Sequence, residues 1–528
     1  MGKRFNVTGT CIPSEHYMVN IDSKINAIIK DYIQTGSYFT INRARQFGKT
    51  TTLYLLEEKL KSNCIVLSLS FESADDYFES IQNLVDGLIM DISDSLCAQN
   101  IPDDIIEKWN SPVSPRFPLR TLGTRITELC KSCHRDIILI IDEVDKSSDN
   151  QIFLSFLGLL REKYLRQKTG RDTTFKSVIL AGVYDIKNLK LKLHPSEESK
   201  NNSPWNIAAD FLLDMSFSPE DIASMLLEYE TDHHTGMDIS AFSQQIYDFT
   251  SGYPYLVSRI CQIIDERIAG TASYPDRKSA WTKSGFLYAI RILQKESNSL
   301  FEDMIKHLYE YPQLNTMIQN ILFRGIRYTF EPNSFIINLG TMFGFLKEQN
   351  NQVIVANRIF ETKLYNFFLS EEENNSSSIP AGIDASPNQF ISHGMLQMDL
   401  VMRKFYEYYE NICLNSSEKF LEEEGRRIFL MFLRPIINGT GNYYIEAQTR
   451  DNTRTDIIVD YLGQQFVIEL KIWKGAQYHH NGQIQLAEYL EHFNQDRGYL
   501  LTFNFNKHKK TGITESICNG KRILEVIV

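Results

Sequence analysis

Between residues 36 and 215, β-rich apolar runs alternate with helical stretches, which confines this part of the chain to a parallel sheet covered by helices. YFTINRA, CIVLSLSF, DIILIIDEVD, SVILAGVYD and FLLDMSFS are the candidate strands. Their β-branched and leucine residues run without polar alternation, which predicts strands buried on both faces. The chain's 528 residues exceed what one hydrophobic core usually serves, so roughly two to four domains are expected.

Later segments change character. Ser218-Pro219-Glu220-Asp221 reads as a cap followed by proline at the first helical position, and opens a helical domain over 216–295. Residues 296–370 read as helices and then two apolar runs parted by a polar Gln-Asn-Asn turn, a small winged-helix-like module. EEENNSSSIPAGIDASPNQ, at 371–389, is acidic, rich in Ser, Asn and Pro, and almost without large apolar groups, so an exposed linker is expected over 371–395. The remainder, 396–528, reads as helices, a strand-rich centre, an amphipathic helix near 483–493 and the buried strand YLLTFNF. Residues 1–215 then form the first domain.

The formal net charge of −11 argues against a surface coated for nucleic-acid binding and leaves room for local patches. From 396 onward 16 Lys plus Arg face 17 Asp plus Glu, so the acidic excess belongs to the first three quarters, which suits a DNA-facing C-terminal domain. No apolar run reaches the roughly 18 to 20 residues that span a bilayer, and MGKRFNVTGT lacks the apolar core of a signal peptide. A cytoplasmic protein without membrane contact is expected. The 8 cysteines are too sparse for a disulfide framework, and Cys130 and Cys133 form a lone C-x-x-C, so reduced structural thiols are expected.

Two patterns carry chemistry. Phosphate binding at a helix N-terminus needs a tight loop of converging N–H groups, a lysine for the outer phosphates and a hydroxyl for Mg²⁺. Gly48, Lys49 and Thr50, with Thr51 beside them, supply these parts between the strand YFTIN and the helix TTLYLLEEKL. ILIIDEVD adds Asp142 and Glu143 at a strand's end, where Asp142 suits Mg²⁺ through water and Glu143 suits polarising the attacking water.

The second pattern is RTDIIVDYLGQQFVIELKIW, at 454–473. Cutting a phosphodiester with Mg²⁺ takes carboxylates for the metal and a cation near the scissile phosphate, the chemistry of Asp456, Glu469 and Lys471. Glu469 and Lys471 are two apart on a strand and share a face. A two-residue turn at Leu462-Gly463 would set Asp456 across from Glu469. Charges inside so apolar a strand are costly unless a metal or partners compensate.

Residues 1 to about 370 resemble bacterial and archaeal AAA+-like ATPases of the STAND and origin-recognition branch. The match is an R-x-R-x-x-GK[ST] variant at Arg43, Arg45, Gly48, Lys49 and Thr50, with Arg43 where the usual first glycine of the phosphate loop falls. In that resemblance SVILAGVYD is the sensor-1 strand. TSGYPYLVSRIC is similar to the helical-domain G-x-P motif that approaches the base, which gives Gly252 and Pro254 that role; an interhelical turn is the plainer reading. TGTCIPSEHYMVNIDSK resembles the segment flanking adenine, where Tyr17 and Met18 either touch the base or pack. Arg161 and Arg166 stand in the region of an arginine finger without being assigned one.

The D-x12-E-x-K spacing resembles the PD-(D/E)xK nuclease superfamily over roughly 396–510, with Thr455 where the name-giving proline would stand. Gln485 and Tyr489 resemble the Q-x-x-x-Y element of its exonuclease-like branch; Gln485 would orient near the active site and Tyr489 would contact DNA or pack. An upstream acid completes such sites, and Glu422, Glu423, Glu424 and Glu446 all remain open. His479 and His480 are consecutive and so point apart, which disfavours a histidine metal site. Lys507, Lys509, Lys510 and Trp473 are candidates for phosphate and base contacts, or ordinary surface and core residues.

The whole arrangement resembles bacterial AAA-ATPase-like proteins with C-terminal nuclease domains. The implied fold is α/β: a P-loop AAA+-like parallel sheet with helical lid and winged-helix-like module, then an α/β PD-(D/E)xK nuclease fold. The implied function is an ATP-controlled, Mg²⁺-dependent DNA nuclease in defence against foreign DNA or mobile-element biology. RNA as substrate, homo-oligomerisation and a regulatory protein partner stay open. The rival reading is an ATP-binding signalling switch whose nuclease-like domain only binds nucleic acid or a partner protein.

Overall fold

The computed structural model describes residues 2–147, 151–183, 205–324, 326–375, 387–392, 395–412, 422–437, 441–445, 457–461, 464–506 and 509–528. The chain divides into two compact units, one of Met1–Thr231, Ser251–Arg259 and Asn338–Phe345, the other of Asp232–Thr250, Ile260–Ile337 and Leu346–Val528.

The first unit is built on four parallel strands, β1 (Tyr38–Asn42), β2 (Ile65–Ser70), β3 (Ile137–Asp142) and β4 (Ser177–Gly182), in the order β1-β4-β3-β2. Helices α1 (Lys49–Leu60), α2 (Ile81–Ala98), α3 (Pro118–Ser132) and α4 (Gln151–Lys168) lie between and around them in sequence. Every residue of β3 and β4 is buried, as unbroken apolar runs require. Ile137, Leu139 and Ile141 share one core with Leu84, Leu88, Leu122, Ile126 and Phe153. Each such side chain contributes about 2 kcal/mol by leaving water.

The fifth expected strand, FLLDMSFS, does not form. Ala209 makes a single parallel bridge to Phe39, and Phe211 stacks on Phe39 at 5.9 Å. Asp214 then accepts hydrogen bonds from Ser216 N at 2.9 Å and Ser216 Oγ at 2.8 Å, a local turn that competes with strand pairing. Helix α5 (Pro219–His233) follows, and its start is a reciprocal cap: Asp221 N donates to Ser218 Oγ at 3.1 Å and Ser218 N to Asp221 Oδ2 at 3.0 Å. Helix α6 (Pro254–Gln262) begins with proline, whose missing N–H costs nothing in a first turn.

In the second unit come α7 (Lys283–Lys295), α8 (Ser299–Glu310) and α9 (Pro312–Arg324), then β5 (Tyr328–Thr329), β6 (Leu346–Gln349), β7 (Gln352–Val355) and α10 (Arg358–Asn375). The three strands pair antiparallel in the order β5-β7-β6. Gln349 pairs with Gln352, and Asn350 and Asn351 between them have φ of 53° and 61°, the left-handed pair that a tight hairpin demands. The acidic run at 371–375, expected in the linker, continues α10.

The C-terminal region holds α11 (Met398–Ile412), α12 (Glu422–Ile437), strands β8 (Gly441–Ile445), β9 (Ile457–Tyr461) and β10 (Gln464–Ile472), helix α13 (Ala476–His492), and strands β11 (Arg497–Phe503), β12 (Gly512–Cys518) and β13 (Lys521–Ile527). The six strands run in the order β8-β9-β10-β11-β13-β12, with the β10, β11 and β13 pairings parallel. Alternation along β11 sorts the helices. Phe503 packs on Phe405 and Tyr409 of α11, while Leu500, of opposite parity, joins Val467, Leu486, Tyr489 and Leu490 in a core under α13.

Candidate nucleotide site and candidate nuclease site

The loop between β1 and α1 ends at Gly48, whose φ of 81° is left-handed, a conformation glycine adopts at no steric cost. Lys49 is buried, and its Nζ donates to the carbonyls of Arg43 at 3.0 Å and Ala44 at 3.1 Å within its own loop. Burial pulls the ammonium's pKa down, against the opposing charges of Asp145, Glu143 and Asp142. Thr50 Oγ1 donates to Asp142 Oδ2 at 2.9 Å, which brings the loop's hydroxyl to the acidic end of β3. Glu143 stands at φ 56° with its N–H on Asp142 Oδ1 at 2.8 Å. Burial first, then the neighbouring Asp142 charge, raises the Glu143 carboxyl above the ordinary range.

The other expected nucleotide residues sort into anchors and neighbours. Arg43 is engaged with main chain: Nη2 donates to Leu213 O at 2.6 Å, Nη1 to Asn42 O at 2.8 Å, and the guanidinium lies 5.2 Å over the Phe211 ring. Thr51 Oγ1 accepts from Cys11 N at 3.0 Å and so ties the N-terminal segment to α1. Arg45 is exposed, and its carbonyl accepts from the Tyr253 hydroxyl. Gly252 has a φ of 72°, and a Cβ there would meet Phe217 O at 2.0 Å; only glycine fits. Its carbonyl accepts from Phe217 N at 2.9 Å. Pro254 Cβ lies 4.0 Å from where a Gly48 Cβ would stand, and the Tyr253 ring meets Phe47 edge-on at 4.9 Å. The Gly-Tyr-Pro turn therefore sits against the phosphate loop. Tyr17 packs with Phe5 and Tyr229 in a buried aromatic cluster. Arg166 is exposed and paired with Glu162 at 3.4 Å, an ordinary helix-surface contact.

In the C-terminal sheet, Glu469 is 1% exposed and its Oε1 lies 2.7 Å from Lys471 Nζ. Both project from β10 to the α13 side, where Glu469 is paired with Leu500 and Lys471 with Thr502. Gly482 of α13 closes over the lysine: a Cβ there would come within 3.3 Å of Lys471 Cγ. β9 and β10 are in register from Ile457 opposite Ile468 to Tyr461 opposite Gln464. Asp456, Thr455 and Glu446 lie outside the described residues, as does Lys507; Glu422, Glu423 and Glu424 lie on α12 with side chains that are not described. Gln485 Nε2 donates to Tyr489 Oη at 2.7 Å, and Tyr489 is core. Trp473 is half-buried against the His479 ring at 5.0 Å, and Lys509 and Lys510 are exposed. Among the described residues, no group of three or more His, Cys, Asp or Glu is arranged to hold a metal. The buried hard-oxygen donor and the half-buried ammonium nonetheless suit a divalent cation beside a phosphate.

Residues 11–370, more than half of the sequence, match the family model of the AAA-like domain. The chain belongs to the AAA-like domain family. This AAA-like chain also carries, at 442–515, a match to the PD-(D/E)XK nuclease superfamily, which spans β9, β10, α13 and β11. Comparison with curated proteins finds no match. Solved structures similar to it include a Walker-type ATPase of Pyrococcus abyssi (11% identity, TM-score 0.44, covering 68% of this chain and 99% of that one). Others are the ORC2 protein of Aeropyrum pernix in ADPNP and ADP complexes (11%, 0.36, 67% and 96%) and the ORC1 protein of the same organism in complex with DNA (10%, 0.31, 67% and 94%).

Three site neighbours escape the sequence patterns of this AAA-like chain. Asp145, the carboxylate that acts most strongly on Lys49, lies two residues past Glu143 and holds Val183 N. Tyr253, between the two motif residues, makes the contact with the phosphate loop. Glu525 lies buried under α13, where it meets His479 and Gln483. No helix among the described residues is long and apolar enough to cross a membrane.

Proposed function

We propose that the chain is an ATP-controlled, Mg²⁺-dependent nuclease that cuts DNA, with defence against foreign DNA or mobile-element biology as its setting. The observation that carries the nuclease half is the Glu469–Lys471 pair: an acid 1% exposed in an apolar strand, with an ammonium 2.7 Å away, is an arrangement whose desolvation cost a purely structural strand avoids.

In this reading Lys49 binds the outer phosphates of ATP, Thr50 and Asp142 hold Mg²⁺, and Glu143, its carboxyl already raised by burial, orients and polarises water. Gly252 and Pro254 bring their turn to the base side, with Arg43 and Arg45 framing the loop and Thr51 anchoring it. In the nuclease domain Asp456 and Glu469 hold the cation, Lys471 stands at the scissile phosphate and Gln485 orients the site. The bound cation supplies charge neutralisation for the leaving oxygen and acidifies water.

The test uses the full chain on supercoiled plasmid with Mg²⁺. Asp456→Asn, Glu469→Gln and Lys471→Met should each abolish cutting while ATP turnover persists. Cutting at the wild-type rate by the triple variant overturns the assignment. Nucleotide held tightly by a wild type that never cuts favours the signalling-switch reading.

A further inference from the structure

Glu469, Leu500 and Glu525 stand in one row across three parallel strands, paired in register through Leu500. Glu525 is 5% exposed. Its Oε2 lies 2.8 Å from His479 Nε2, and its Oε1 accepts from Gln483 Nε2 at 2.8 Å. His479 and Gln483 are four apart on α13, hence on one face. The other ring nitrogen, His479 Nδ1, is 3.3 Å from Thr502 Oγ1, and Thr502 is the β11 residue paired with Lys471.

These bonds fix the height and register of α13 over the sheet. Between His479 and Gln483 lies Gly482, the residue that meets the Lys471 stem with no side chain in between. A slide of α13 by one residue, about 1.5 Å, would strand a buried carboxylate and release the lysine stem together. We propose that His479, held by Glu525, is a positioning residue of the nuclease site: it clamps α13 so that Lys471 keeps its ammonium beside Glu469. The proposal rests on the nuclease reading of 396–528. His479 touches neither Glu469 nor a phosphate in this account; it acts through helix α13 and Lys471.

The experiment measures kcat and KM for plasmid cleavage with Mg²⁺ by the full-length wild type, His479→Ala and His479→Gln. The glutamine amide keeps a donor for Glu525 and an acceptor for Thr502, so it should restore the clamp without the imidazole. His479→Ala should lower kcat about 10- to 100-fold, the range for a lost supporting bond or a misplacement near 1 Å. KM should stay within about threefold, because apart from Lys471 the DNA-contacting surface is untouched, and ATP turnover should be unchanged. His479→Gln should return kcat to within about threefold of wild type. Wild-type kcat in His479→Ala overturns the proposal, as does a His479→Gln variant no better than His479→Ala, since the imidazole would then have a role of its own. If His479→Ala fails to fold, Gln483→Leu removes the Glu525 bond and the exposed contact with His480 while leaving the His479 imidazole in place, and should still lower kcat; an unchanged kcat there overturns the proposal. A wild type that cuts nothing overturns the nuclease reading itself, and this clamp with it.

Discussion

Thr50 Oγ1 donates to Asp142 Oδ2 at 2.9 Å across 92 positions of sequence, which joins the first turn of α1 to the acidic end of β3. A phosphate loop lacking its usual first glycine is thereby tied to β3 at its helix end. Gly48 supplies the left-handed turn, the lysine is held by its own loop's carbonyls, and the hydroxyl is already aimed at the carboxylate that would share a cation with it. Thr50→Val keeps the side chain's shape and removes the hydroxyl. ATP turnover should fall at least about tenfold, since a hydrogen bond to a charged group is worth about 1.5–3 kcal/mol. Nucleotide affinity measured without Mg²⁺ should not move; an unchanged turnover would remove Thr50 from the cation's ligands.

Lys49→Ala takes away the buried ammonium that Asp145, Glu143 and Asp142 surround. Binding of ATP should weaken by about 10- to 100-fold, the equivalent of one or two charge-assisted bonds. Titration calorimetry with ATP and with ADP should show the larger loss for ATP, because the lysine serves the outer phosphates. Equal losses would place the ammonium nearer the inner phosphate or outside the site.

Asp460 gives a pH signature to the C-terminal region. It is buried on β9, takes a 3.4 Å hydrogen bond from Gln465, and burial pushes its carboxyl up to about 6, with Lys283 and Arg358 opposing. An acid whose folded pKa is raised destabilises the fold when ionised. The penalty is complete above about pH 6 and fades as pH falls toward the ordinary carboxyl range near 4. Asp460→Asn should therefore raise the unfolding temperature of this region at pH 8, and the gain should shrink as pH falls through about 6. A gain that grows on acidification would assign Asp460 a stabilising ionised role.

Much of this was legible because periodicity reports burial. Two charges two apart in FVIELKI must share a face, and the structure pairs them at 2.7 Å. The four apolar runs of the parallel sheet form as read. The fifth, FLLDMSFS, fails at Asp214, whose side chain satisfies Ser216 locally and so ends the extended segment after the single bridge at Ala209. Aspartate followed two residues later by serine is a turn signal that apolar content obscured. Glu525 was illegible for a different reason. It lies 46 positions from His479, and only the parallel pairing of β11 with β13 carries it beneath α13. A single acid in a terminal apolar strand announces no partner, and the consecutive histidines correctly read as pointing apart: His479 faces the sheet, while His480 bonds Gln483 at 2.9 Å.

Control of cutting by nucleotide state is tested by the plasmid cleavage rate at saturating Mg²⁺ under three conditions. These are wild type without nucleotide, wild type with ATP, and Glu143→Gln with ATP. Glu143→Gln keeps the shape of the acid and loses its basicity, so it should bind ATP and hydrolyse it far more slowly. The predicted result is a cleavage rate that differs at least about tenfold between the first two conditions, with Glu143→Gln locked at the ATP-bound rate after wild type has exhausted its ATP; a population shift of that size needs only about 1.4 kcal/mol of coupling. Identical rates in all three conditions would contradict it and leave an ATPase and a nuclease that share a chain without controlling one another.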